Sequence, residues 1–305
     1  MELLILLLGA GLLVGIFTDG DTDNSEPDAP APSGELTNGA DLYLGDASDE
    51  IVFGLKGFDD LAGGAGNDQL FGGDGKDILE GDDGEDELFG GAWNDGLFGG
   101  NGDDTLSGEN GKDVLAGGKG DDTLFGGDGR DALYGGEGTD TVYGGAGNDF
   151  IFGTSLRDDV DADEYELIRS EMTDFETGQG FISGIGLLQQ EGFVRDTAGN
   201  ELFGGEGDDR LILGSNDVAF GGDGADGFYI TDRIVDGGPA TIEDFDGTQD
   251  VLIATSDSAD GYSFVRISDT EARIEAFGRV LAVVKGDIAS YDGRLLLTPP
   301  ESVTF

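Results

Sequence analysis

The sequence predicts an all-β solenoid of short strands, two nine-residue repeats to a coil, carrying a partly helical insertion and a β-structured end. Three observations predict it. A nine-residue phrase recurs twelve times in register between Gly45 and Phe152, with Gly63–Phe71 (Gly-Gly-Ala-Gly-Asn-Asp-Gln-Leu-Phe) as its type. Its sixth position is always a carboxylate: Glu50, then Asp59, Asp68, Asp77, Asp86, Asp95, Asp104, Asp113, Asp122, Asp131, Asp140 and Asp149. Its eighth is always aliphatic, from Val52 and Leu61 through to Val142 and Ile151. A period this strict takes precedence over local propensity.

Each part of the repeat has its own physical role. Six residues rich in Gly and Asp cannot hold a helix, but glycine supplies the positive φ values of tight turns. The other three, centred on an aliphatic residue, suit a very short strand. That single aliphatic side chain is covered only when further coils lie above and below it, so the repeats must stack. Two repeats per coil place alternate repeats on the same face. On one face the ninth position reads Phe53, Phe71, Phe89, Ser107, Phe125, Tyr143; on the other it reads Ala62, Glu80, Phe98, Ala116, Tyr134, Phe152. With the eighth position inward the ninth points outward, so the first face carries an aromatic row broken at Ser107. Such a row is either a stacking ladder that stabilises the sheet or a docking face.

The phrase Gly-Gly-x-Gly-x-Asp-x-U-x, with U aliphatic, resembles the nonapeptide repeat of the RTX family. The likeness is close from Gly45 to Gly153 and looser at 36–44 (Gly39, Asp41, Tyr43) and at Gly204–Tyr229. It implies a parallel β-roll with calcium between turns two repeats apart. Each ion would be held by the sixth-position carboxylates of both turns and by backbone carbonyls of the first four positions. Carried over residue by residue, the implied carboxylate ligands are Asp41, Asp59, Asp68, Asp77, Asp86, Asp95, Asp104, Asp113, Asp122, Asp131, Asp140, Asp149, Asp209 and Asp226. The implied carbonyl ligands include those of Gly64, Gly66, Gly73, Gly75, Gly118, Gly120, Gly127, Gly129, Gly136, Gly138, Gly145 and Gly147. Asp68 would share an ion with Asp86, and Asp77 with Asp95. Roughly ten or more ions would be bound, and oxygen-only coordination of this kind suits calcium. Ser48, Glu50 and Trp93 depart from the pattern, and their turns are expected to bind calcium poorly.

Charge gives the metal a task. The chain has 66 acidic and 15 basic residues, a formal net charge of −51. Nucleic acid is excluded as a natural partner, since binding phosphates needs a basic surface. Residues 36–153 hold 27 Asp and Glu against Lys56, Lys76, Lys112, Lys119 and Arg130, a net of −22. About 11 inter-turn intervals would supply roughly +22 if each held one calcium. Without metal the repeat repels itself and reads as disordered low-complexity sequence; metal binding should drive its folding. With no Cys and no His, disulfides, the usual zinc sites and Ser-His-Asp triads are excluded, and calcium is left as the staple.

The remaining elements follow in order. Residues 1–17 include an uncharged apolar run, Leu3–Phe17, with Gly11 and Gly15 spaced as a helix-packing pair. It reads as an atypical signal or membrane anchor, a helix that packs on copies of itself or on another protein, or an end piece of the domain. Residues 18–35, acidic with Pro27, Pro30 and Pro32, read as an extended linker. The main roll is 36–153. The period fails over 154–197, where Tyr165, Ile168, Met172 and Phe175 fall at helical spacing. A second, short repeat block, 198–229, contains Asp209, a shortened unit with Asp217, and Asp226. Residues 230–305 alternate as strands at Tyr262–Ile267, Ala272–Phe277 and Arg279–Val284, and Ile242, Asp244, Phe245, Gly247 and Asp250 resemble the segment that follows the repeats and closes the roll in many RTX proteins. In that family the C-terminus also serves as an export address, and Glu301–Phe305 partly resembles it.

The function expected is that of a secreted or surface-held calcium-binding protein that folds on meeting external calcium and serves adhesion, a surface layer, a matrix or a filament. Self-association and contact with cell-surface polysaccharide are the partners considered, with membrane contact only through the N-terminal segment. A calcium-dependent carbohydrate binder is the alternative reading. A small hydrolase using Asp158, Asp159, Asp161, Asp163 or Glu164 is a further one, and no catalytic residue is assigned.

Overall fold

The computed structural model describes residues 36–153, 198–231, 237–255, 262–276, 278–291 and 296–298. The expectations for 1–17, 18–35, the helical stripe of 154–197 and Glu301–Phe305 lie outside them. Within the repeats the strands run β1 (Leu42–Leu44), β2 (Ile51–Gly57), β3 (Asp60–Ala65), β4 (Gln69–Gly75), β5 (Ile78–Asp83), β6 (Glu87–Ala92) and β7 (Gly96–Asn101). They continue as β8 (Thr105–Gly111), β9 (Val114–Lys119), β10 (Thr123–Gly129), β11 (Ala132–Glu137), β12 (Thr141–Gly147) and β13 (Phe150–Phe152). Beyond residue 197 come β14 (Glu201–Glu206), β15 (Arg210–Leu213), β16 (Val218–Asp223), β17 (Gly227–Thr231), β18 (Ala240–Asp246) and β19 (Val251–Thr255). Last are β20 (Tyr262–Arg266), β21 (Glu271–Ala276), β22 (Arg279–Asp287) and β23 (Leu296–Thr298).

Odd-numbered strands to β19, with β23, form one sheet of 11 strands; the even-numbered ones, with β20–β22, form a second of 12. Strand n pairs in parallel with strand n+2, so each coil contributes one strand to each sheet and the whole is an all-β parallel solenoid. The register is a fixed step of 18 residues: Leu61 faces Leu79, and Leu70 faces Leu88. The strands are longer than the three residues per repeat expected, because glycines one to four continue the ladder past a bend; β4 runs Gln-Leu-Phe-Gly-Gly-Asp-Gly.

The eighth-position side chains make the core. Val52, Leu61, Leu70, Leu79, Leu88, Leu97, Leu106, Leu115, Leu124, Leu133, Val142 and Ile151 are all 0% exposed, forming two facing aliphatic columns between the sheets. Each buried aliphatic side chain contributes about 1.5–3 kcal/mol at most.

The ladder resumes in register beyond the insertion. Val142 pairs with Leu202 and Ile151 with Leu211. Partners normally 18 residues apart are here 60 apart, so 42 extra residues of sequence separate two neighbouring rungs. At the far end, β18 pairs in parallel with β22, and β22, β21 and β20 pair antiparallel. A conventional core forms there from Ile242, Phe245, Leu252, Ile274, Val284, Ile288 and Tyr291, with the rings of Phe245 and Tyr291 edge to face.

The outward aromatic row is a stack. Phe53, Phe71 and Phe89 lie 4.7 and 4.8 Å apart between ring centres, within 12° of parallel. Beyond the gap at Ser107, Phe125 and Tyr143 stack at 5.1 Å, and the column continues across the insertion to Phe203 and Phe220 at 4.9 Å each. On the other sheet Tyr134 stacks on Phe152, and Arg130 and Arg210 sandwich the Phe150 ring, each 5.0 Å from its centre.

Candidate metal centre

The sixth-position carboxylates lie at the bends where one sheet passes to the other. Their side chains are turned inward: Asp59, Asp77, Asp95, Asp113, Asp131, Asp140 and Asp149 are 0% exposed, and the rest of the row is nearly as buried. One oxygen of each is spent on the fold. The Asp59 backbone N–H donates to Asp77 Oδ1 at 2.8 Å, Asp68 N–H to Asp86 Oδ1 at 2.7 Å, and Asp95 N–H to Asp113 Oδ1 at 2.8 Å, so each aspartate from Asp59 to Asp149 ties its turn to the one two repeats before.

The second oxygen has no such partner. Among the described residues, Glu50 Oε2 and the Oδ2 atoms of Asp59, Asp68, Asp77, Asp86, Asp95, Asp104, Asp113, Asp122, Asp131, Asp149, Asp209 and Asp226 are buried without a hydrogen bond. Leaving a buried carboxylate oxygen bare costs several times what a neutral hydrogen bond returns. A row of thirteen such oxygens suits a positive charge.

What surrounds these oxygens is also rich in acceptors. At Gly72 a Cβ atom would stand 2.6 Å from Asp77 Oδ2 and 2.7 Å from the carbonyl oxygen of Gly90, the first glycine of the next turn on that edge. The same convergence recurs at Gly54 (Asp59 and Gly72), Gly81 (Asp86 and Gly99), Gly99 (Asp104 and Gly117), Gly108 (Asp113 and Gly126) and Gly117 (Asp122 and Gly135). Two oxygens facing one small space with no donor between them need a proton or a cation. Fourth-position glycines leave a second cradle: a Cβ on Gly147, whose φ is +141°, would fall 1.4 Å from the Gly129 carbonyl oxygen.

This donor set fits a hard cation. Among the described residues no three carboxylates come together, so carbonyl oxygens must supply much of any coordination shell. That is the chemistry of calcium and not of thiolate- or imidazole-seeking metals. Burial also makes the carboxylates hold protons. It pushes Asp113 up to about 9, Asp59, Asp95 and Asp122 to about 8, and Asp104, Asp149 and Asp209 to about 7. Asp68, Asp77, Asp131 and Asp226 rise to about 6, again through burial first. Backbone N–H donors pull the other way, and Arg130 and Arg210 partly offset the rise at Asp149 and Asp209. A bound divalent ion would invert this balance and keep the carboxylates ionised.

Most of the residues singled out from sequence stand in this row. Asp41 stands apart: it opens the stack, and its Oδ2 accepts hydrogen bonds from Thr37 N and Oγ1 at 2.9 and 2.8 Å. The carbonyls converging on the bare oxygens belong to first-position glycines such as Gly90, Gly99 and Gly126, whereas the residue-by-residue assignment named the second and fourth positions. Second- and fourth-position carbonyls, such as those of Gly73, Gly118 and Gly127, abut the glycine of the following turn. Trp93 keeps the turn despite its side chain, adopting φ +87° with its ring 66% exposed and its carbonyl aimed at Gly111. Glu50 keeps a bare Oε2 while Ser48 Oγ donates to its Oε1.

Three members of the row escaped the sequence reading as site residues. Asn200 and Asp217 continue one edge, and Asp250 the other, each accepting the N–H of the preceding sixth-position residue. The signal was present in Asn200-Glu-Leu-Phe203, which keeps the aliphatic and aromatic of the repeat but has an amide where the carboxylate is expected.

The family profile of the RTX calcium-binding nonapeptide repeat matches residues 44–79, 62–97, 71–106, 80–115, 94–124, 107–142, 117–151, 125–160 and 196–228. No curated protein matches the chain. The matched windows overlap through the main stack and resume in the second block, where the same bare oxygens recur; RTX repeats bind calcium, and the chain belongs to the RTX calcium-binding repeat family.

Proposed function

We propose that this chain is an extracellular calcium-binding β-roll, open where calcium is scarce and closed by calcium outside the cell, with a structural rather than catalytic output. The observation that carries the reading is the row of buried carboxylate oxygens without a hydrogen bond among the described residues, most of them opposite a glycine carbonyl. In this reading Asp41, the sixth-position aspartates from Asp59 to Asp149, and Asp209 and Asp226 hold ions between turns, and about ten or more ions fill the roll. Extracellular modules bind calcium at about 10⁻⁴–10⁻³ M, far above cytosolic levels, so the anionic chain stays unfolded until exported. Residues 36–153 and 198–229 form the roll, and 230–305, with its antiparallel strands and buried side chains continuous with the core of the roll, closes it. Adhesion, a surface layer, a matrix or a filament is the outcome proposed.

A calcium titration followed by circular dichroism and electron microscopy on one sample tests this reading. Expected is a cooperative gain of β signal, reversed by chelation, accompanied by assembly. An equally ordered chain after exhaustive chelation overturns it. A second reading, calcium-dependent carbohydrate binding, is favoured by the aromatic column, in which Phe125 and Tyr143 are 40% and 37% exposed. Polysaccharide binding lost when Phe71, Phe89 and Phe125 are replaced by Ala supports it over self-assembly.

A further inference from the structure

The two edges of the solenoid do not end alike. Along one edge the sixth-position N–H to carboxylate bonds link Glu50, Asp68, Asp86, Asp104, Asp122, Asp140, Asn200 and Asp217. Along the other they link Asp41, Asp59, Asp77, Asp95, Asp113, Asp131, Asp149, Asp209, Asp226 and Asp250. The second edge has bare oxygens through Asp149, Asp209 and Asp226, then stops at Asp250, whose Oδ2 accepts the Asp246 N–H at 2.7 Å. The first stops earlier, at the turn that carries the insertion.

Asn200 is the cause. It is 1% exposed, and its Oδ1 does what every aspartate Oδ1 does, accepting the Asp140 N–H at 2.8 Å. Where an aspartate would present its second oxygen, Asn200 has Nδ2, which donates to the Gly153 carbonyl at 2.6 Å. The bond to Asp140 N–H fixes this orientation of the amide, since a flip would set two donors face to face. Gly153 is the first-position glycine of that turn, so its carbonyl corresponds to those of Gly72, Gly90 and Gly99, which face the bare oxygens of Asp59, Asp77 and Asp86 in the preceding turn of each edge. One turn on, Asp217 Oδ2 accepts the Gly214 N–H.

We propose that Asn200 carries its own substitute for a metal ion: its amide hydrogen takes the carbonyl a cation would otherwise take, so the metal row of this edge ends ahead of the Gly153–Asn200 turn while the opposite row runs on to Asp226. The inference rests on the calcium reading of the other turns. Its physical sense lies in the insertion. In a regular turn the first and sixth positions are five residues apart; Gly153 and Asn200 are 47 apart. A neutral side chain that bonds directly to Gly153 ties the two ends of this long step together.

Two substitutions in the full chain test it, read as calcium bound per chain and as unfolding temperature across calcium concentrations at pH 7.5. Asn200→Asp sets two acceptors face to face. It should lower the unfolding temperature at low calcium, recover at saturating calcium, and raise the calcium midpoint severalfold. Asn200→Ala removes the amide without adding a ligand, and should lower the unfolding temperature at every calcium concentration. If the two variants respond to calcium alike, or if neither differs from the parent chain, the inference is overturned. Should Asn200→Asp fail to fold even in calcium, Asp122→Asn on the same edge decides: fewer bound ions with folding less dependent on calcium supports the substitution rule, and an unchanged count overturns it. A parent chain that binds no calcium overturns the calcium reading beneath; one that binds it, with either negative result above, overturns this inference alone.

Discussion

At the scale of single residues, two atoms of one carboxylate have separate tasks. In a regular turn such as that of Asp77, Oδ1 is part of the backbone ladder and Oδ2 is buried beside a carbonyl, without a hydrogen bond among the described residues. First-position glycines make this possible by having nothing where a Cβ would be. Gly72→Ala would place a methyl group 2.6 Å from Asp77 Oδ2 and 2.7 Å from the Gly90 carbonyl oxygen, filling the space in which the two oxygens meet. The expected result is a loss of about 1–3 kcal/mol from overpacking, with one calcium fewer bound per chain. Calorimetric titration of the variant beside the parent checks both, and an unchanged calcium count sinks the assignment of that space. The carboxylates were legible from the period alone. Which of their oxygens is spent and which is bare was not, because that depends on where the turn two repeats away places its N–H.

At the scale of elements, the strands hold together through two kinds of column, one inside and one outside. The inner column of aliphatic side chains is complete, whereas the outer aromatic column has one gap, at Ser107 between Phe89 and Phe125. Stacked rings at this spacing contribute about 0.5–1.5 kcal/mol per pair beyond their buried area. Ser107→Phe would restore two contacts, and is expected to stabilise the calcium-loaded protein by about 1 kcal/mol. A thermal melt at saturating calcium measures it, and an unchanged or lower midpoint would show that the column does not act as a stabilising ladder. The alternation of faces and the break at Ser107 were readable from the ninth positions. The continuation of the column into Phe203 and Phe220 was not, because a 60-residue separation conceals a partner that is one strand away.

At the scale of the whole molecule, the fold confines like charges in two buried rows, and that sets its response to pH. Burial raises the folded-state pKa of these aspartates to about 6–9, above the ordinary value near 3.9 that they have in an unfolded chain. Between those limits the metal-free folded state binds more protons than the unfolded state, so stability falls as pH rises. The contribution is fully present below about pH 4 and is lost as pH passes through 6 to 9. In chelator the β signal should therefore be greater at pH 5 than at pH 9, a range chosen to stay clear of the isoelectric point near 4.1. Saturating calcium should flatten the profile above pH 6, since ion binding replaces the protons; circular dichroism across that range checks it, and a metal-free signal rising with pH would refute it. By itself the sequence determined the coil: a nine-residue period with one carboxylate and one aliphatic per turn leaves few ways to bury the aliphatic, and stacking is one that covers it on both sides. Only the tertiary structure decided where the rows end, because Asn200, Asp217 and Asp250 join them through partners 60, 17 and 24 residues away. Whether such a side chain closes its turn with its own hydrogen bonds or leaves an oxygen for a cation is settled by what lies across the turn, and a one-dimensional period does not contain that.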